Sequence, residues 1–288
     1  MKRVAIGRWA RRHRLSARAL GEIRVAQLSG RRGEADLQRC MSLARDGSLF
    51  IDVGANVGNY ALAACRKVGR SGAVLALEAN PDVYRELITS TWGARVIALN
   101  LAASDRSGLA TLEVPVDRLG SVQSQLGSLE SRSSGGSLSF HNVRTIRVDD
   151  LIGGEQIVSV IKIDVEGHEL SVLKGAEETI ERDRPSLVIE IEARHLVDHE
   201  IRDVVEWILA KGYDGFVIDG QGLLPWREFD AYQHQARWLT EVDGSSVITD
   251  GAPYLNNFLF TPIHSDSLLS DEIDTAAQKA RGQSLEGR

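Results

Sequence analysis

The chain has 288 residues, 43% hydrophobic and 26% charged, with a formal charge of -6, which leaves room for one well-filled α/β domain with extensions. No apolar run approaches the roughly 18 residues needed to cross a bilayer, which excludes an integral helical membrane protein. The mild acidity argues against a general nucleic-acid binder, whose affinity comes from neutralising phosphates.

Residues 1–45 read as a basic helical extension. Lys and Arg recur through residues 1–32 against a single acid, Glu22, with Trp9, Leu15, Leu20 and Ile23 interleaved. Such a segment either packs on the domain as a solvated helix or lies on an anionic membrane surface or an acidic partner. No apolar stretch of the roughly 7 to 15 residues of a secretory signal follows the basic residues. Cys40 and Cys65 have neither zinc spacing nor the look of a disulfide framework. The expected location is cytoplasmic, with peripheral contact at the inner membrane surface as the variant that the basic arm allows.

A helix is expected over residues 34–44, followed by a strand at 49–53 whose apolar residues ask for cover on both faces. That strand carries Asp52, out of place on packing grounds, and runs into Gly54, Asn56 and Gly58, where the chain must turn into a helix over 57–67. A second strand at 73–78 ends on Glu78. Asn80 and Pro81 then open a helix reaching 92, with the proline near the first turn, where its missing N–H does no harm. A third strand spans 95–101.

Residues 110–148 break the pattern. LATLEV and NVRTIRV read as two exposed strands around a Ser/Gly-rich segment, residues 118–140, which reads as a mobile loop over an active site or as plain disorder. The alternation resumes with VSVIKIDVEGHE, an amphipathic helix over 169–180, a strand at 187–191, a helix striped by Ile201, Val204, Val205, Ile208 and Leu209, and late strands at 213–218 and 257–262. Residues 265–288 form a polar tail expected to be disordered, so the folded domain spans 46–264. Repeated β-α-β order implies a doubly wound, mostly parallel sheet with its ligand at the carboxyl ends of the strands.

The first turn limits what that ligand is. In the dinucleotide fingerprint the second glycine lets a pyrophosphate approach the backbone; Asn56 stands there instead, so NAD and FAD fit poorly, and no Walker lysine follows. A carboxylate after the second strand, here Glu78, is placed to accept both ribose hydroxyls. Asp52 is an anion one turn away, which suits a ligand carrying an ammonium and a sulfonium. S-adenosylmethionine is such a ligand.

FIDVGANVGNY, LEANP, NLAASD, IKIDVEGHELSVLKGA and RPSLVIEIE together resemble the successive motifs of the FkbM family of S-adenosylmethionine-dependent methyltransferases, over roughly residues 46–262. The resemblance implies a class I methyltransferase fold, Rossmann-like, with a seven-stranded, mostly parallel sheet, an antiparallel last strand and helices on both faces. It implies transfer to a hydroxyl of a sugar, glycolipid or natural product. Carried onto this chain, it assigns Asp52, Gly54, Asn56 and Gly58 to the methionine part of the cofactor and Glu78 to the ribose. Asn100, Ala103, Ser104 and Asp105 would flank the adenine. Ala79 stands where the family more often has proline, which softens that turn.

A hydroxyl is a poor nucleophile until its proton is accepted, and His168, after the fourth strand, is the natural base. Asp164 and Glu166 point the same way on an extended strand, so they can polarise His168, bind acceptor hydroxyls or, with Glu190 and Glu192, hold a divalent ion; the spacing is not diagnostic of a metal. His195, His199 and His234 read as surface or packing residues. Trp226, Phe229, Tyr232 and Trp238 either stack on a sugar or pack down their loop. The competing expectation is a scaffold protein that keeps the cofactor pocket without catalysis.

Overall fold

The computed structural model describes residues 32–116, 127–130, 137–220, 222–242, 245–249 and 251–263. In chain order come α1 (Arg32–Leu43), β1 (Leu49–Val53), α2 (Asn59–Lys67), β2 (Ala73–Leu77), α3 (Pro81–Ser90) and β3 (Val96–Leu99). Three further strands follow: β4 (Ala102–Ala103), β5 (Gly108–Val116) and β6 (Ser137–Ile146). Then come β7 (Val158–Ile163), α4 (Glu169–Lys174), α5 (Glu177–Asp183), β8 (Ser186–Glu190), α6 (Ile201–Leu209), β9 (Tyr213–Asp219) and β10 (Gly222–Pro225). The chain closes with α7 (Ala231–His234), β11 (Leu239–Val242), β12 (Ser245–Ile248) and β13 (Asn257–Pro262).

The main sheet has the order β3-β2-β1-β7-β8-β13-β9-β10. The strands from β3 to β8 are parallel neighbours, and β13 runs antiparallel to both β8 and β9. Seven strands thus form the expected class I methyltransferase sheet. An eighth, β10, folds back on β9 through Gly222↔Asp219 to Pro225↔Phe216 and extends the edge beyond the seven expected. The chain steps outward from β1 to β3, then returns to lay β7 on the other side of β1. The carboxyl ends of β1 and β7 therefore flank the switch point, where such sheets bind ligands.

Alternation in the strands sorts the core into two layers. Leu49, Ile51, Val53, Leu75, Leu77, Ile161 and Ile163 face α4, α5 and α6. Phe50, Val74, Ala76 and Val160 face α1 and α2, with Leu87 of α3. Each large aliphatic so buried contributes about 1.5 to 3 kcal/mol. Asp52 and Lys162 share the parity of Phe50 and Val160 and stand opposite one another in the β1/β7 register, so both enter the second layer beneath the cleft.

Several expectations are corrected. The two exposed strands expected within 110–148 form, as β5 and β6, but they are longer than expected and belong to a second sheet, β4-β6-β5. β5 and β6 pair out to Val116↔Ser137, so the last residues of the expected 118–140 loop are strand. Residues 117–126 and 131–136 lie outside the described residues, as do the arm 1–31 and the tail from 264. The single helix expected over 169–180 is two, because the chain breaks at Gly175. A Cβ there would lie 1.9 Å from the Ser104 carbonyl oxygen, and the Asp149 N–H donates to the Gly175 carbonyl at 3.0 Å, so that turn is pressed against the neighbouring loops. Among the described residues no helix is long and apolar enough to cross a membrane.

Candidate active site

The turn after β1 is built by close backbone approach. Gly54 has φ +73°, and a Cβ on it would lie 1.8 Å from the Asp164 carbonyl oxygen; the Asp164 N–H in turn donates to the Val53 carbonyl at 3.0 Å. The carboxyl ends of β1 and β7 touch at a point where only glycine fits. Asn56 takes the left-handed conformation, φ 49°, which Asn tolerates better than most residues. Gly58 serves packing: a Cβ there would meet Leu87 and Thr91 of the neighbouring helical segment at 2.8 and 2.9 Å.

Glu78 ties this turn to the end of β2. Its carboxylate accepts the Asn56 N–H at 2.9 Å and the Asn80 N–H at 2.8 Å, while the Asn100 side-chain amide donates to the Glu78 and Ala79 carbonyls at 2.8 and 3.0 Å. Asn80 caps α3, accepting the Asp82 N–H at 3.0 Å. Burial pushes the Glu78 carboxyl up to about 7, against the two N–H donors, which favour the anion.

Beneath the cleft sits a buried charge cluster. Lys162, 2% exposed, holds its ammonium 3.3 Å from Asp164 Oδ2 and 5.1 Å from the centre of the Tyr60 ring. Despite burial, Asp164, Glu190 and Asp52 keep the ammonium above its ordinary range. Asp52 is also 2% exposed, with Oδ2 unpartnered; burial pushes it up to about 7, with Lys162 pulling the other way. Burial, reinforced by Asp164, raises Glu190 well above the usual carboxylate range. Glu190 Oε1 accepts from the Asn256 amide at 2.7 Å.

His168 is engaged at both ring nitrogens: Nδ1 lies 2.6 Å from Glu130 Oε1 and Nε2 lies 2.9 Å from Ser104 Oγ. Glu166, with φ 56°, pairs instead with His195, whose Nδ1 is 2.5 Å from Glu166 Oε2. Gly167 lets the two loops close, since a Cβ there would lie 2.2 Å from the His195 carbonyl oxygen. Glu169 folds back to accept the Gly167 N–H at 2.9 Å.

These parts enclose a cleft of about 240 Å³. Of the residues expected at the site, Gly54, Asn56, Glu78, Ala103, Asp164, Glu166 and His168 line it. Asp52 and Gly58 lie behind the turn, and Asn100, Ser104 and Asp105 stand outside the lining, Asn100 holding the Glu78 loop and Ser104 holding His168. The lining carries four acids, Glu78, Asp164, Glu166 and Glu190, and no Lys or Arg among the described residues. Val83, Leu101, Leu112 and Leu129 add apolar surface to the same lining.

Two contributors, Glu130 and Lys162, are absent from the residues expected at the site. Glu130 sits in a polar loop that gives an acid no distinguishing signal. Lys162 is the second, although a lysine inside an apolar strand is itself a sign of a buried ion pair. His195, expected as a surface or packing residue, does pack: it is buried against Glu166. Among the described residues no cluster of three or more His, Cys, Asp or Glu has the arrangement of a metal site. In the late loop, Trp226 and Phe229 stack on each other and pack on Phe258, so these two rings hold the loop down; Tyr232 is exposed.

Residues 52–214 match the methyltransferase FkbM domain. The hexuronic acid methyltransferase AglP of Haloferax volcanii is 33% identical over 150 residues, 50% of this chain and 56% of that protein, so the chain spans little more than half the length of that relative. Among solved structures, a methyltransferase FkbM from Methylobacillus flagellatus KT is matched over 78% of this chain and 50% of that one, at 16% identity and a TM-score of 0.44. An O-methyltransferase from Bacillus cereus in complex with SAH is matched over 86% and 91%, at 12% identity and a TM-score of 0.43. The match of the domain across more than half of the chain carries the assignment: the chain belongs to the FkbM methyltransferase family.

Proposed function

We propose that this chain is an S-adenosylmethionine-dependent O-methyltransferase acting on a hydroxyl of a sugar-type acceptor. The observation that carries the reading is the lining of the cleft, which is acidic, free of Lys and Arg among the described residues, and apolar in part. Phosphate-bearing cofactors are repelled by such a surface, whereas a ligand with an ammonium, a sulfonium, a ribose and an adenine finds a complement for each part. Glu78 would accept the ribose hydroxyls, since each carboxylate oxygen can take more than the one N–H it now accepts. The apolar lining residues Val83, Leu101, Leu112 and Leu129 would take the adenine, and Asp164 the ammonium. When bound, S-adenosylmethionine supplies a methyl group already activated on sulfur. The chain's own task is to align the acceptor and take its proton, which falls to His168.

The sugar class is supported by the likeness to the hexuronic acid methyltransferase of Haloferax volcanii. A hexuronic acid offers both hydroxyls and a carboxylate. A carboxylate needs no base and is repelled by the acids of the cleft, so a hydroxyl suits this site better.

The test is calorimetric titration with S-adenosylhomocysteine, with Glu78→Ala as control, followed by S-adenosylmethionine assays on p-nitrophenyl glucuronide and galacturonide. Micromolar binding lost in the variant, with an alkali-stable methyl ether as product, is the expected result. An alkali-labile ester would move the acceptor atom to the carboxylate. Binding without transfer to any hydroxylated glycan or glycolipid would favour a scaffold, and no binding by folded protein would overturn the pocket.

A further inference from the structure

We propose that Glu130, from the connection between β5 and β6, is a positioning residue that fixes the tautomer of His168 and so determines which ring nitrogen can take a proton. The inference deepens the reading of His168 as the base. An ionised carboxylate only accepts, so Glu130 Oε1, 2.6 Å from Nδ1, requires the hydrogen on Nδ1. The neutral ring then carries its lone pair on Nε2, 2.9 Å from Ser104 Oγ. In this state Ser104 donates to Nε2. Its hydroxyl has a second acceptor in Asp105 Oδ1 at 3.2 Å, so Ser104 can turn away and leave Nε2 to an acceptor hydroxyl. The proton lost by that hydroxyl ends on Nε2, while the hydrogen on Nδ1 stays there, donated to Glu130, whose negative charge stabilises the imidazolium formed.

Glu130 is held rather than loosely presented. The Glu113 and Ser128 backbones exchange two hydrogen bonds of 2.8 and 2.9 Å, and Leu129 packs against the Ala102, Leu112, Val114 and Val143 cluster. Ser128 Oγ donates to the Glu166 carbonyl at 2.8 Å and accepts the Glu130 N–H at 3.1 Å. The same hydroxyl thus joins the Glu130 segment to the loop that bears His168. The pair is also largely withdrawn from water, with side-chain exposures of 12% for His168 and 30% for Glu130, so the carboxylate outcompetes solvent for Nδ1. Asp164 and Glu166 do not perform this task, because their carboxylates are turned to Lys162 and His195.

The tautomer is read directly, without an acceptor. Two-bond proton–nitrogen correlation spectra of histidine-labelled protein, with His168→Gln to assign the resonance, are expected to show the hydrogen on Nδ1 in the wild type. In Glu130→Ala the Nδ1 preference is expected to collapse to a mixture, with S-adenosylhomocysteine affinity within about twofold of wild type and transfer slowed at least about tenfold. A wild-type spectrum with the hydrogen on Nε2, or a Glu130→Ala spectrum identical to wild type, overturns the inference. Wild-type turnover in His168→Ala would instead sink the base reading, and the spectra would still report whether Glu130 sets the ring.

Discussion

Lys162 Nζ lies 3.3 Å from Asp164 Oδ2, at the boundary where the buried floor of the sheet meets the open cleft. One ammonium there is shared among Asp164, Glu190 and Asp52. Removing it leaves carboxylates buried without a counter-charge, the costly way to break a buried pair, at about 3 to 5 kcal/mol. Lys162→Met is expected to lose about that much stability by chemical denaturation at neutral pH, and to recover part of it at pH 5, where the carboxyls take protons. A variant as stable as wild type at neutral pH would show that the cluster is already neutral.

Glu78 joins the glycine turn to α3 through its two accepted N–H groups, so its loss is expected to act on binding and on the turn together. Glu78→Ala should weaken S-adenosylhomocysteine at least about tenfold, the order of one or more lost charge-assisted hydrogen bonds. Calorimetry checks the affinity, and a thermal melt separates it from unfolding.

The pH dependence has a definite sign. Burial raises the carboxyls of Asp52, Glu78 and Glu169 to about 7 each, above the roughly 4 of an unfolded chain. The folded state therefore binds protons more readily than the unfolded one in this window. Stability from these groups is present below about 4 and lost as pH rises through about 7. Without cofactor, the melting temperature is expected to fall between pH 5 and pH 8. Hydroxyl donors favour the Glu78 anion, so cofactor binding should release protons and tighten over the same range. Calorimetry in two buffers of different ionisation enthalpy measures the proton count, and uptake instead of release would contradict the assignment.

Gly54→Ala should be among the most damaging single substitutions. The new Cβ would meet backbone, the Asp164 carbonyl at 1.8 Å, at φ +73°, and neither strand end can yield without breaking the β1/β7 register. Loss of folded protein, or a fall of several kcal/mol with loss of cofactor binding, is the expected outcome.

His168→Ala is expected to keep S-adenosylhomocysteine binding near wild type while slowing transfer about 100-fold or more. Steady-state kinetics with a working acceptor decides this: turnover that is unchanged removes His168 from the chemistry.

The layer order and most of the site were legible in the sequence because local signals specify them. Short apolar runs gave the strands, Asn80 and Pro81 opened α3, and Asp52 was visible as an acid in a buried strand. Only the assembled sheet shows that Asp52 and Lys162 stand opposite one another on the face of Phe50 and Val160, and that Asp52 lies under the turn rather than in the cleft. Glu78, Asp164 and His168 could be named from their places at strand ends. Their partners could not, because Glu130 is 38 residues from His168 and Ser104 is 64, separations over which no periodicity or spacing rule operates. The sequence by itself determined which strands are buried and where each stops, since those follow from burial and turn chemistry within a few residues. The tertiary structure alone decided which nitrogen of His168 faces which oxygen, because that depends on a second sheet delivering a polar loop to the cleft, and the loop's own residues carry no trace of where it lands.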